Sequence, residues 1–279
     1  MTDRIDAHQH FWRYDPVAHA WMDGRMTSIQ RDFLPADLEP KLAALGFDGC
    51  VAVQASQTLE ETRWLLELAD AHSFIRGVVG WVDLRSPDVA AQIARFASHP
   101  RLKGLRHVVQ SEPDDRFLLG ADFRRGIAAL ADTGLVYDLL LFPKHLPVAA
   151  EFVAGFPRQA FILDHLAKPD IKAGTREPWA TDLRRLAAHA NVACKLSGMV
   201  TEADWAAWRP ADLRPYLDIC LEAFGPNRLL IGSDWPVCQL AGAYAETMAT
   251  VLDWTSALRP AERDAILGGN AVRLYRLEA

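Results

Sequence analysis

Two histidines separated by one residue stand close to the start of the chain, His8 and His10 in the run Asp6-Ala7-His8-Gln9-His10. Successive side chains on an extended strand point to opposite faces, so both imidazoles aim to the same side. Further ionisable residues end other apolar, β-branched runs: Arg106-His107, Asp138, Asp164-His165, Lys195 and Ser233-Asp234. Any one of them, taken alone, reads as a helix cap or a satisfied core group. Brought together in one pocket, such groups are costly unless they are paired, bind a metal or work as acids and bases. His-x-His on a strand, with a distant His and Asp, is a constellation that suits Zn²⁺ or a related divalent ion.

Their positioning depends on the elements that carry them. Short β-branched runs alternate with helical patterns from end to end, which argues for βα units. The strands read as 4–8, 48–54, 78–82, 104–108, 136–141, 161–164, 192–196 and 229–231. Helical patterns fall at 59–72, 89–97, 123–133, 181–190 and 213–224, and a last helix runs from Pro260 to Gly268-Gly269, followed by a helical tail over 270–277. Gly46, Gly134 and Gly225 punctuate helix ends before strands two, five and eight. Eight strands in 279 residues predict a single distorted (β/α)₈ barrel over 1–279, with a doubly wound open sheet as the structural alternative. In such a barrel the active site lies at the carboxyl ends of the strands, where the ionisable residues stand.

Composition narrows the partners. Half the residues are apolar and 24% are charged, with a net charge of −6, and no dense basic run offers a phosphate-binding stripe. Nucleic acid and membrane are therefore excluded as expected partners. No apolar run approaches the ~18 residues of a membrane span, and no secretory leader is legible, so a cytoplasmic protein is expected. Cys50, Cys194, Cys220 and Cys238 form no CxxC pair and read as buried thiols.

Several motifs carry a resemblance over nearly the full length: DAHQHFW at 6–12, LPADLEP at 34–40, GVVGWVDL at 77–84, GLRHVVQ at 104–110, ILDHLAKP at 162–169, CKLSG at 194–198 and GSDWPV at 232–237. In these the chain resembles the amidohydrolase superfamily, in the branch called amidohydrolase family 2. Within it the chain is similar to the sugar-lactone hydrolases of the L-fuconolactonase and L-rhamnonolactonase type. The resemblance implies His8, His10, His165 and Asp234 as metal ligands, with Asp234 as the general base. It also departs from the metal-dependent pattern: Arg106-His107 stands where a metal-bridging acid or lysine is common, and Asp138 where a histidine is usual. That departure argues against a binuclear site. One divalent ion, Zn²⁺ first, or a metal-free site in which Arg106, His107 and Lys195 polarise the carbonyl, both stay open.

The function these implications favour is a hydrolase that opens a sugar 1,4- or 1,5-lactone, with Asp234 taking the proton from water. His165 is expected as carbonyl polariser or ligand and His107 as a donor to substrate. Arg106, Lys195, Trp81 and Asp138 are the expected substrate contacts, although with nine Trp in the chain core packing competes for Trp81. Asp164, next to His165, is expected to alternate away from the site. The alternative is a hydrolase of a carboxylated lactone or a non-oxidative decarboxylase, but an anionic substrate would want several arginines and only Arg106 is well placed. A binding barrel without turnover has no need of Asp234. Residues 12–35, rich in aromatics, form a long connection at the catalytic end, expected as either a lid or a plug of the barrel top or a contact with a partner copy in a homo-oligomer.

Overall fold

The computed structural model describes residues 3–278. Eight parallel strands form one sheet in the order of the sequence: β1 (Ile5–Gln9), β2 (Gly49–Val53), β3 (Ile75–Gly80), β4 (Leu102–His107), β5 (Val136–Leu139), β6 (Phe161–Leu163), β7 (Val192–Leu196) and β8 (Leu229–Ile231). The sheet curls until β8 meets β1. Backbone bonds from His10 N to Trp235 O (2.7 Å) and from Asp234 N to His8 O (2.8 Å) seal the seam at the catalytic end. The expected (β/α)₈ barrel is the fold, and the open-sheet alternative is set aside.

Helices α1 (Pro35–Ala44), α2 (Leu59–Ala71), α3 (Val89–Ala97), α4 (Ala121–Ala128), α5 (Leu146–Ala154), α6 (Trp179–Ala187), α7 (Met199–Glu202), α8 (Pro210–Phe224) and α9 (Tyr244–Thr255) accompany the strands. Their caps are local and legible. The Thr58 hydroxyl accepts the Glu61 N–H at the start of α2, and Pro35 and Pro210 occupy first-turn positions of α1 and α8, where the missing N–H costs nothing. The C-terminal helix differs from expectation. It does not stop at Gly268: α10 (Pro260–Asp264) runs through a π-helical turn (Ala265–Gly269) into α11 (Asn270–Tyr275). Gly268 is a packing glycine, because a Cβ there would lie 1.8 Å from Asp3 O.

Two apolar layers hold the barrel. The larger lies between strands and helices; the smaller fills the inside at the amino ends of the strands, from Ile5, Val51, Val79, Val136, Ile162, Ala193 and Leu230. The four cysteines are free and buried, and no helix among the described residues is long and apolar enough to cross a membrane.

Candidate active site

Each inner layer of the barrel is two residues beyond the one below it, as the pleat requires. Beyond Val136, Ile162 and Ala193 come Asp138, Asp164 and Lys195, and β4 adds Arg106, which pairs in register with Asp138. Strand β1 reaches this layer differently. Asp6 pairs with Cys50 but Gln9 with Ala52, so β1 carries one extra residue between them. This bulge turns His8 and His10 into the mouth while Asp6 faces out, where it accepts from Ser233 N (2.9 Å) and Tyr244 Oη (3.2 Å). Asp6 thereby fixes the loop that presents Asp234, and burial raises its carboxyl to about 6.

The imidazoles are oriented by their second nitrogens. His10 Nδ1 lies 2.8 Å from Val53 O, a carbonyl that can only accept, so the ring proton sits there and Nε2 carries the lone pair. His8 lies between two cations that can only donate, Arg106 Nη1 at 3.3 Å from Nε2 and Lys195 Nζ at 3.1 Å from Nδ1, with Asp164 Oδ1 3.3 Å from Nδ1. The Nε2 atoms of His8 and His10 are 3.1 Å apart, and Asp234 Oδ1 lies 3.4 Å from that of His10 and 3.8 Å from that of His8. Ligands around a tetrahedral ion with bonds of 2.0–2.1 Å stand about 3.3 Å apart, so the three donors fit one divalent cation. His8, Asp164 and His165 form a second group with the same potential.

Protonation states agree with that fit. Burial lowers His8 well below the ordinary imidazole value, against the pull of Asp164, and lowers His165 to about 4 against Asp234 and Asp164. Both rings are neutral near pH 7, as ligation requires. Burial works to raise Asp234, but His165, His10 and His8 outweigh it and hold the carboxyl well below its usual range.

Backbone strain concentrates here. Asp234 has φ of 56°, and His165, Leu166, Ala167 and Lys168 form a left-handed run with φ of 53° to 58°. Non-glycine residues enter that region at a cost of about 1–2 kcal/mol each, so the run persists only because packing enforces it. Gly198, itself at φ of 64°, lies against the His165 ring, where a Cβ would come within 2.6 Å of Nδ1. His165 Nδ1 is also bonded to Ser197 Oγ at 2.9 Å. This turn overturns the expected alternation: Asp164 and His165 both point inward, because the strand ends at Leu163.

Beneath the mouth, Lys195 Nζ contacts Asp138 Oδ2 (2.5 Å), Asp164 Oδ1 (3.0 Å) and His8 Nδ1 (3.1 Å) with no surface exposed. Arg106 spans Asp164 (3.0 Å) and Gln54 Oε1 (2.7 Å). Burial lifts Asp138 to about 6 despite Lys195. Two cations thus meet two carboxyl groups, a balanced buried set.

A cavity of ≈ 320 Å³ opens on this cluster, walled by Trp12, Trp21 and Leu140 and reached by His10, Arg106, His165, Lys168 and Asp234. A larger cavity of ≈ 460 Å³, lined by Leu130, Gly134, Arg158 and Arg276, carries no imidazole. Of the expected substrate contacts, only Arg106 reaches the mouth. Lys195 and Asp138 lie one layer below, occupied with each other. His107 and Trp81 are corrected outright, since the pleat that turns Arg106 in turns His107 out. His107 bonds Glu112 Oε1 (2.7 Å), accepts from Trp81 Nε1 (3.3 Å) and stacks on Phe117. The loop 12–35 is both plug and wall: Trp12 and Phe33 pair and are buried, whereas Trp21 lines the cavity with 43% of its surface exposed. Sequence reasoning missed Lys168, inside the quoted ILDHLAKP motif, because nothing in that motif announces four left-handed residues.

The family model described as amidohydrolase matches residues 5–277. The chain is 45% identical to L-fucono-1,5-lactonase of Burkholderia multivorans, over 98% of this chain and 96% of that protein. It is 42% identical to L-fucono-1,5-lactonase of Burkholderia ambifaria, over 100% of this chain and 97% of that protein. A crystal structure of an amidohydrolase from Burkholderia multivorans with bound zinc superposes with a TM-score of 0.93 at 44% identity, covering 99% of this chain and 100% of that one.

Proposed function

The chain belongs to the amidohydrolase family, and on that premise we propose that it is a lactonase that opens a sugar lactone of the L-fucono-1,5-lactone type to the sugar acid. One observation carries the reading: in a chain 45% identical over its length to such a lactonase, the His8, His10, His165 and Asp234 side chains gather at one site, and His10, His165 and Asp234 line the cavity above it.

Hydrolysis needs a water nucleophile, a base for its proton, an electrophile at the carbonyl oxygen and an acid for the leaving alkoxide. Asp234, ionised and at the cavity wall, accepts the proton from water as its oxygen bonds to the carbonyl carbon, where that proton becomes acidic. The resulting carboxylic acid returns it to the ring oxygen when the tetrahedral intermediate collapses. His165, with Nε2 3.7 Å from Asp234 Oδ1, stands beside the reacting centre as a hydrogen-bonding group for the carbonyl oxygen. His8, His10 and Asp234 are the residues that would hold a divalent ion, for which we propose zinc; bound there, it supplies Lewis-acid polarisation.

The cations of the mouth favour a neutral ring over a carboxylated one. Arg106 is engaged by Gln54 and Asp164, and Lys168 Nζ lies 3.8 Å from Glu202 Oε1. Arg106 is thus committed to protein partners, and Lys168 is, among the described residues, the one loosely paired cation at the mouth, short of the several that a carboxylated ring would call for. The free buried cysteines fit a reducing compartment such as the cytoplasm, where we place the enzyme.

Acid release from a panel of sugar lactones by chelator-treated protein, with and without added Zn²⁺, tests this reading. Hydrolysis of a six-membered sugar lactone supports it, and its zinc dependence separates the metal-assisted from the metal-free mechanism. Folded protein that releases acid from no lactone in either condition contradicts it.

A further inference from the structure

The cavity wall that faces Asp234 and His165 comes from the loops after β2 and β4. Strand order puts it there, because in a closed ring of eight β2 and β4 stand opposite β6 and β8, whose ends carry His165 and Asp234. Gln57 lies in this wall and is held from both sides. Before it, Glu61 Oε2 accepts the N–H groups of Ala55 (3.0 Å) and Ser56 (2.7 Å); after it, Thr58 caps α2. The side chain is fixed as well, since Gln57 Oε1 accepts the Val108 N–H at 2.7 Å. A backbone N–H can only donate, so this contact decides which arm of the amide is oxygen. Nε2 is the other arm and points away from Val108. Among the described residues it meets no acceptor, and it stays open to solvent on the cavity side of the loop.

We infer that Gln57 is a specificity-determining residue: its Nε2 donates a hydrogen bond to a hydroxyl oxygen on the edge of a sugar lactone remote from the carbonyl. The inference rests on the lactonase reading and deepens it by naming a group that tells a sugar lactone from an unsubstituted one. With the carbonyl carbon set against Asp234 and His165, the ring extends across the mouth, and its far edge meets the loops after β2 and β4. At ≈ 320 Å³ the cavity lies at the small end of ligand pockets, the size for one ring. Trp12, Trp21 and Leu140 present mainly carbon and favour any ring that fits. Discrimination then falls to polar contacts, because a site built to pair with a hydroxyl rejects the analogue lacking it far more strongly than an apolar wall does. A donor whose direction is set before the substrate arrives also loses little freedom on binding.

The test compares kcat/KM for L-fucono-1,5-lactone and for unsubstituted δ-valerolactone in wild-type, Gln57→Glu and Gln57→Met proteins. Gln57→Glu keeps an oxygen for the Val108 N–H and loses only the donor, whereas Gln57→Met loses both. Gln57→Glu is expected to fall about 10- to 100-fold on the sugar lactone, mainly through KM, and to change about threefold or less on δ-valerolactone. Gln57→Met is expected to fall at least as far on the sugar lactone. Gln57→Glu that falls equally on both lactones, or that stays within about threefold of wild type on the sugar lactone, overturns the inference. Folded wild-type protein that hydrolyses neither lactone refutes the lactonase reading itself. Where either lactone is not turned over, calorimetric binding of the neutral pyranose L-fucose decides on Gln57 separately. Weaker binding by Gln57→Met than by wild type upholds the contact; equal binding, or none by wild type, overturns it.

Discussion

The lower and upper layers inside this barrel are made by the same strands, two residues apart. Val136, Ile162 and Ala193 fill the lower layer with carbon; Asp138, Asp164 and Lys195 fill the upper one with charge. The lower layer asks only for volume, so its members are exchangeable within limits. The upper layer is a closed set of partners in which every group depends on the others. It packs Asp164 against His8 and holds Lys195 away from the cavity, so the chemistry at the mouth depends on a layer beneath it that touches only protein.

Breaking the upper layer should cost most. Lys195→Met leaves Asp138 buried without its cation and Asp164 with Arg106 alone, and is expected to destabilise the fold by on the order of 3–5 kcal/mol, read by urea unfolding. A loss under about 1 kcal/mol would remove the distinction between the layers. Gly198→Ala acts one step closer to the chemistry, pushing the His165 ring from its seat. Turnover is expected to fall about 10²-fold, since a displacement near 1 Å has that effect, and stability by about 1–2 kcal/mol from the left-handed backbone. His107→Phe keeps the stack on Phe117 but strands Glu112 and Trp81. It should cost about 1–3 kcal/mol of stability with turnover near wild type, whereas a 10²-fold fall in turnover would restore His107 to the catalytic set. Ile162→Val, in the lower layer, should cost only about 0.5–1.5 kcal/mol and leave kcat unchanged.

The same contrast governs what was legible in the sequence. The lower layer and the strands that carry it follow from short, near-continuous β-branched apolar runs; Val192–Leu196 and Leu229–Ile231 are strands with the expected bounds, and the others differ by a few residues. His8 and His10 share a face as expected, but a bulge rather than plain alternation aims them. Arg106 and His107 are adjacent, so one must face in and one out, and only the register with Asp138 decides which. Asp164 and Lys168 were beyond reach for a different reason: left-handed residues after β6 obey neither helical nor strand periodicity, and no glycine marks them. Helices α1, α5, α7 and α9 are not among the helical patterns read from the sequence; α7 is only four residues long.

Acid release from L-fucono-1,5-lactone by wild-type and Asp234→Asn proteins, matched for folding by circular dichroism, tests the central claim most directly. The account predicts steady hydrolysis by the wild type and a loss of at least ~10²-fold in turnover by the variant with its fold intact. Near-wild-type turnover in Asp234→Asn would contradict it.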